Sequence, residues 1–166
     1  MTRRIAGRLP VRNRQVHSGR VVEADPSLRQ EADALWSSDP DHALLVMTAD
    51  CVPVLLAAPD RLAAVHAGGR GLVADIVSRA VEHLSRDPTQ ITAWIGPAIG
   101  PCCYEVDHDV AAAVARSTAA RIVVPAAGVS SSRPHLDLPS AAREQLERGG
   151  VADVRMVRRC TRCWDR

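Results

Sequence analysis

Three short apolar runs, Ala43 to Thr48, Val52 to Ala57 and Leu62 to His66, lead directly into a glycine-rich turn and then into apolar residues at helical spacing. Runs of this length, bounded by turn signals, predict buried strands, because they are too short for a membrane span and lack the period of an amphipathic helix. Pro59-Asp60 separates the second run from the third and marks a turn between adjacent core strands. Beyond Ala67-Gly68-Gly69-Arg70-Gly71, the residues Leu72, Val73, Ile76, Val77, Ala80, Val81 and Leu84 share one face and predict one helix closed by Pro88. Ile91 to Ile95 predicts a further strand. Asp107 or Asp109 can cap a helix through about Ala120, and Arg121 to Val124 reads as a short strand. Asp137, with Pro139 in the first turn and Gly149-Gly150 at the end, brackets another helix, and Val154 to Val157 a last strand.

The N-terminal part is less regular. Val11 to His17 and Arg20 to Glu23 carry a weak strand pattern around Ser18-Gly19, which predicts a hairpin. The polar stretch Asp25 to Asp41 contains Ala-Asp-Ala-Leu-Trp, for which helix and strand both stay open. Strands and helices intermix without a strict βαβ rhythm, so the expected class is α/β or α+β with mixed sheets rather than a doubly wound sheet. At 166 residues the expectation is one domain over 1–166, with a core that needs no disulfide or metal to hold it.

Composition excludes several chemistries. All 21 residues counted as Lys+Arg are arginine, which removes Schiff-base catalysis, pyridoxal phosphate attachment and the phosphate-loop lysine. The chain has no Phe and a single Tyr, Tyr104, beside Trp36, Trp94 and Trp164, so the usual aromatic platform for single-stranded RNA is missing. Arginines cluster before Glu23 and after Asp153, but no recognition helix or zinc-finger pattern accompanies them, and the net charge is only +2. Composition therefore argues against nucleic acid as a partner. Five cysteines, an odd number, with no apolar leader after Met1, fit a reduced cytoplasmic protein without a membrane segment.

If the second and third runs pair as a hairpin, Cys51 and His66 both lie at its open end, where cross-strand neighbours are about 5 Å apart and diagonal ones about 7 Å. A thiolate and an imidazole at that spacing, with His17 as a third donor, would make a three-ligand zinc site with an open fourth position. The competing reading is a small core cysteine and a hydrogen-bonded strand-end histidine. Asp50 is a candidate acid/base group or a partner that orients a ligand, and equally a turn cap. The segment Gly68, Gly69, Arg70 and Gly71 leaves a strand and opens a helix, which suits an anion but also a plain tight turn. His42, His83, His108 and His135 read as surface residues. Cys160 and Cys163 form a CxxC whose partner motif is missing; Cys102 and Cys103 are adjacent, and the four read as packed or weakly reactive thiols.

Four longer motifs occur in order: Gln15-Val16-His17, Met47-Thr48-Ala49-Asp50-Cys51-Val52-Pro53-Val54-Leu55, Ala64-Val65-His66-Ala67-Gly68-Gly69-Arg70-Gly71, and Ile95-Gly96-Pro97-Ala98-Ile99-Gly100-Pro101-Cys102-Cys103-Tyr104-Glu105-Val106. With His135-Leu136-Asp137-Leu138 and the Cys160 to Cys163 end, they resemble the YfiH-like laccase-domain family, also described as polyphenol oxidase or purine nucleoside phosphorylase. The resemblance implies a compact α/β fold with mixed β-sheets sandwiched by α-helices, and zinc held by His17, Cys51 and His66. It further implies phosphorolysis of adenosine, inosine, guanosine and methylthioadenosine to free base and pentose 1-phosphate, with deamination of adenosine to inosine. Older descriptions of the family name copper laccases and peptidoglycan-editing factors. Paired His-x-His elements, which a multicopper centre needs, are absent, since no two of the six histidines are closer than seventeen residues.

For phosphorolysis, Arg70 with the amides of Gly68, Gly69 and Gly71 is the candidate phosphate cradle, Asp50 the candidate proton carrier, and Cys51 stands at the reacting centre. Three departures accompany the resemblance. The chain begins near the family's first histidine motif, so the family's N-terminal segment is expected to be missing. Gly69 stands where the family carries Trp, and the aromatic, arginine-bearing tail does not follow Cys163. A second reading is therefore a shortened, catalytically weak relative that binds metal or nucleoside. A homodimer that completes the pocket is left open.

Overall fold

The computed structural model describes residues 5, 7–117, 122–123 and 133–163. Its centre is a six-stranded mixed sheet. The antiparallel pair β5 (Val52–Ala57) and β6 (Leu62–Ala67) lies in the middle, turned by the Pro59-Asp60 segment. On one side β5 pairs with β7 (Thr92–Ile95), antiparallel, and β7 with β10 (Asp153–Met156), parallel; on the other, β6 pairs antiparallel with β3 (Ala34–Ser37), which pairs in parallel with β2 (Val21–Glu23).

Alternation along the central strands divides the interior. Val52, Val54 and Leu56 of β5 and Ala63, Val65 and Ala67 of β6 face the larger core. This core is closed by α2 (Ile76–Leu84), through Ile76, Val77, Ala80, Val81 and Leu84, and by α4 (Leu138–Arg148), through Leu138, Ala141, Ala142 and Leu146. Across the sheet, Leu35 and Ala64 meet Val11, Leu44 and Val46 in a smaller cluster. The last three belong to or follow a separate parallel pair, β1 (Leu9–Arg12) and β4 (His42–Leu45). A short α1 (Gly69–Val73) and α3 (His108–Ser117) pack together beside the sheet end, and β8 (Ile122–Val123) pairs antiparallel with β9 (His135–Leu136). The fold is thus mixed α/β, as the intermixed pattern predicts.

Three expectations change. The hairpin around Ser18-Gly19 does not form: β1 pairs with β4 and β2 with β3. The N–H groups of Val16, His17 and Ser18 donate instead to the carboxylate of Asp33, so they are not available to a ladder. Gly19 serves a close approach, since a Cβ there would lie 2.7 Å from the Ala74 Cβ and 2.8 Å from its carbonyl oxygen. Second, the expected single helix is two, because Asp75 stands between α1 and α2 at φ 55, a left-handed conformation that Asp tolerates better than most residues. Leu72 and the α2 residues Ile76, Val77, Ala80, Val81 and Leu84 turn inward, whereas Val73, expected on the same face, is exposed. Third, Ala43 to Thr48 yields a strand, β4, but one outside the central sheet. In the open segment at Ala32 to Trp36, Ala34 to Trp36 belong to the strand β3, and α4 has the expected cap, with Asp137 accepting from the Ser140 N–H. The helix after Asp107 is seen as α3; the positions from 118 to 121 and the residue 124 lie outside the described residues.

Candidate metal centre and its cavity

Asp33 is the hub of the site. It is 1% exposed and sits directly before β3, against β6, where a carboxylate is costly unless fully bonded. Its two oxygens accept from the N–H groups of Val16 (3.2 Å), His17 (2.9 Å) and Ser18 (2.6 Å), from the Ser18 hydroxyl (2.8 Å) and from His66 Nδ1 (2.9 Å). Burial pushes its pKa up, but the bonds from Ser18, His66 and His17 outweigh this and hold the carboxyl below its ordinary range. The same bonds keep His17 at φ 60, a conformation that a non-glycine residue adopts only when its surroundings impose it.

The hairpin brings the other donors alongside. Pro53 is opposite His66 in the β5–β6 register, so Cys51, two residues earlier, lies diagonally from His66 on the same face. Cys51 Sγ is 3.8 Å from His17 Nε2, and the two imidazoles meet edge to face with centroids 4.8 Å apart. One ligand atom from each of His17, Cys51 and His66 falls within a 4.8 Å span. With Nδ1 of His66 donating to Asp33, its Nε2 is the nitrogen left for an ion, the carboxylate–imidazole arrangement common at metal sites. Gly68 makes room for the trio: a Cβ at that position would stand 2.9 Å from Cys51 Sγ and 3.0 Å from His17 Cδ2. Burial first, then the charges of Asp50 and Asp33, raise the Cys51 thiol pKa. A donor set inside negative potential of this kind favours a cation.

His17 and Cys51 open onto a cavity of about 620 Å³ that is also lined by Gly69, Arg70 and Tyr104, with Val73 of α1 and Val114 of α3 as an apolar wall. Tyr104 was not among the site residues expected from the sequence, and only the fold brings it to the cavity. Its phenol pKa is raised, by burial first and then by Cys51 and Asp50, so the hydroxyl remains a donor. The structure therefore gathers His17, Cys51, Gly69 and Arg70 around one space. Gly68 and Gly71 are buried behind it and do not line it; Gly71 fits against the Ser18 carbonyl. Asp50 stands beside Cys51 but outside the lining, its Oδ1 accepting from the Thr161 hydroxyl at 2.7 Å. Asp33 was missed altogether, although a charged residue inside the apolar pattern of Ala32 to Trp36 was the available signal.

Two of the residues read as surface histidines are half-buried. His42 is in β4 with its side chain 11% exposed, bonded to the Ser37 hydroxyl. His135 lies in β9, Nδ1 donating to the Pro101 carbonyl at 2.6 Å, with Nε2 buried and unpaired among the described residues. The four cysteines outside the trio are brought together from separate parts of the chain. Cys102, Cys103, Cys160 and Cys163 converge, with all four sulfurs within 4.8 Å of one another.

Comparison with known proteins places the chain in a family. The family described as multi-copper polyphenol oxidoreductase laccase matches residues 3–166. A Pseudomonas aeruginosa protein named purine nucleoside phosphorylase is 41% identical over 151 residues, covering 89% of this chain and 62% of the relative. The Escherichia coli protein named purine nucleoside phosphorylase YfiH is 38% identical over 157 residues, covering 92% and 63%. Among solved structures, YlmD from Geobacillus stearothermophilus superposes with a TM-score of 0.80 at 31% identity, over 93% of this chain and 64% of that one. The chain spans about six-tenths of the length of the curated relatives it matches. With the match running over nearly every residue and solved relatives sharing the fold, the chain belongs to the multi-copper polyphenol oxidoreductase laccase family.

Proposed function

We propose that the chain is a zinc-dependent purine nucleoside phosphorylase. On this reading it cleaves adenosine, inosine, guanosine or methylthioadenosine with phosphate to base and pentose 1-phosphate, and deaminates adenosine to inosine. The observation that carries the reading is the convergence of His17, Cys51 and His66 within 4.8 Å, two of them lining a cavity that Arg70 and Tyr104 share.

His17 Nε2, Cys51 Sγ and His66 Nε2 would hold the ion. When bound, zinc would supply Lewis-acid polarisation of an oxygen in the cavity. Two imidazoles and a thiolate also suit copper of the electron-transfer type, but that site takes a weak axial thioether. The Met47 sulfur instead accepts from Arg12 at 3.6 Å, and its side chain is mostly exposed. An open cavity beside three ligands is the arrangement of catalytic zinc.

The remaining residues have separate tasks. Arg70 would bind phosphate through its guanidinium fork, beside the small Gly69, while Gly68 and Gly71 support the turn from behind. Tyr104 O–H can donate to the nucleoside, and Val73 and Val114 exclude water from one side of it. Asp50, held by Thr161 outside the lining, would not reach the base itself; beside Cys51 it adds negative charge that favours a cation at the trio.

Chromatography of products from adenosine and phosphate tests the reading. Adenine with ribose 1-phosphate, and inosine, should appear with zinc-loaded protein and vanish on chelation and in Cys51→Ala. Arg70→Ala should raise the KM for phosphate with kcat less affected. Untouched adenosine in a folded, zinc-loaded sample would favour a metal- or nucleoside-binding role instead.

A further inference from the structure

The four cysteines outside the trio come from two distant loops, Gly96 to Tyr104 and Arg158 to Cys163, which the backbone draws together. Ala98 and Cys160 form a parallel bridge, with Ala98 N–H donating to the Arg159 carbonyl (3.3 Å) and Thr161 N–H to the Ala98 carbonyl (3.0 Å). Within the first loop the N–H groups of Cys103 and Tyr104 both donate to the Gly100 carbonyl at 3.0 Å, and the tight turn brings Cys102 Sγ to 3.3 Å from Cys163 Sγ.

We propose that Cys102, Cys103, Cys160 and Cys163 form a second metal centre, a tetrathiolate site for one zinc ion, distinct from the His17, Cys51 and His66 trio. The spacing fits a single ion. A tetrahedron with bonds of about 2.3 Å has edges of about 3.8 Å, and the four sulfurs span no more than 4.8 Å. Iron–sulfur clusters, which interpose sulfide and several irons, hold their cysteines farther apart. Around Cys160 the backbone has the form of a zinc knuckle: Gly100 N–H donates to its sulfur at 3.3 Å, joined by the N–H groups of Arg162 and Cys163. N–H donors aimed at a sulfur stabilise a thiolate, the form that binds metal. Four thiolates around a divalent ion leave net negative charge, and Arg158, Arg159 and Arg162 flank Cys160 in sequence.

The site would clip the C-terminal loop to the loop that ends in Tyr104, and so steady a wall of the cavity. Binding is by exchange of four thiol protons for the cation, with no redox change.

Protein purified with zinc and a reducing agent, then freed of loose metal, tests this by metal analysis of wild type, Cys51→Ala and the double variant Cys160→Ser/Cys163→Ser. Wild type should carry about two zinc ions per chain, and each variant about one. Zinc that stays in Cys51→Ala and leaves in the double variant supports the site even if the trio binds nothing. Should the double variant not fold, alkylation of the native Cys51→Ala protein decides: the four cysteines should resist iodoacetamide until a chelator is added, and cobalt in place of zinc should show intense thiolate-to-metal absorption. Immediate alkylation of all four, or a Cys102–Cys163 disulfide in the reduced preparation, would overturn the proposal.

Discussion

Asp33 shows how much one buried carboxylate can organise, since it fixes both the main chain at His17 and the ring of His66. Asp33→Asn keeps the shape but replaces acceptors with an amide that must turn donors toward N–H groups. Zinc affinity is expected to fall about 10–100-fold, read by chelator competition. The pH dependence follows from the direction of the shift. Because the folded-state pKa of Asp33 lies below its ordinary value of 3.8, its stabilisation is present above that value and lost as pH falls from there through the folded pKa. Acid unfolding of wild type should therefore steepen below about pH 4, and Asp33→Asn should lack that component. At Gly68 the constraint is space. Gly68→Ala places a methyl against Cys51 and His17 and should weaken zinc binding about tenfold or more. Gly69→Ala meets only the Tyr104 hydroxyl at 3.7 Å and should leave zinc retention and Tm near wild type. The placement of Cys51 and His66 was legible in the sequence because a hairpin register fixes diagonal neighbours. The role of Asp33 was not, because it depends on a strand pairing between β3 and β6 and a loop that arrives from residues 16–18.

Among the elements, the break between α1 and α2 is held by α4. Gln145 is fully buried; its Nε2 donates to the Leu72 carbonyl at 2.7 Å and its Oε1 accepts from the Val77 N–H at 3.3 Å, one contact on each side of the break. Gln145→Leu fills the space but leaves both backbone groups without that partner, at a cost of about 1–3 kcal/mol, visible as a lower urea midpoint. Gln145→Glu retains an acceptor, loses the donor and buries a charge, and should cost at least as much. Asp75→Val should also destabilise, since a β-branched residue resists φ 55, whereas Asp75→Asn should be milder. The apolar stripe from Leu72 to Leu84 conceals the break because a short left-handed link returns the second helix to the same face. The strands β5, β6, β7 and β10 and the helix α4 were readable, their runs and caps being local. The pairing of β1 with β4 was not, because parallel partners such as Leu9 and His42, 33 residues apart, leave no turn signal.

For the whole molecule, metal binding and stability should be linked. An ion bound only by the folded chain adds about 2.7 kcal/mol at a free concentration one hundred times its Kd. Thermal denaturation with a chelator should therefore fall below that with zinc, and the difference should shrink in Cys51→Ala. The trio with its cavity is expected to support phosphorolysis. This is tested most directly by phosphorus NMR of inosine and inorganic phosphate with metal-free protein, before and after zinc is added. The expected result is a sugar-phosphate resonance that grows only after zinc and does not appear with Cys51→Ala. A spectrum holding inorganic phosphate alone, from folded protein with zinc bound at the trio, would contradict it.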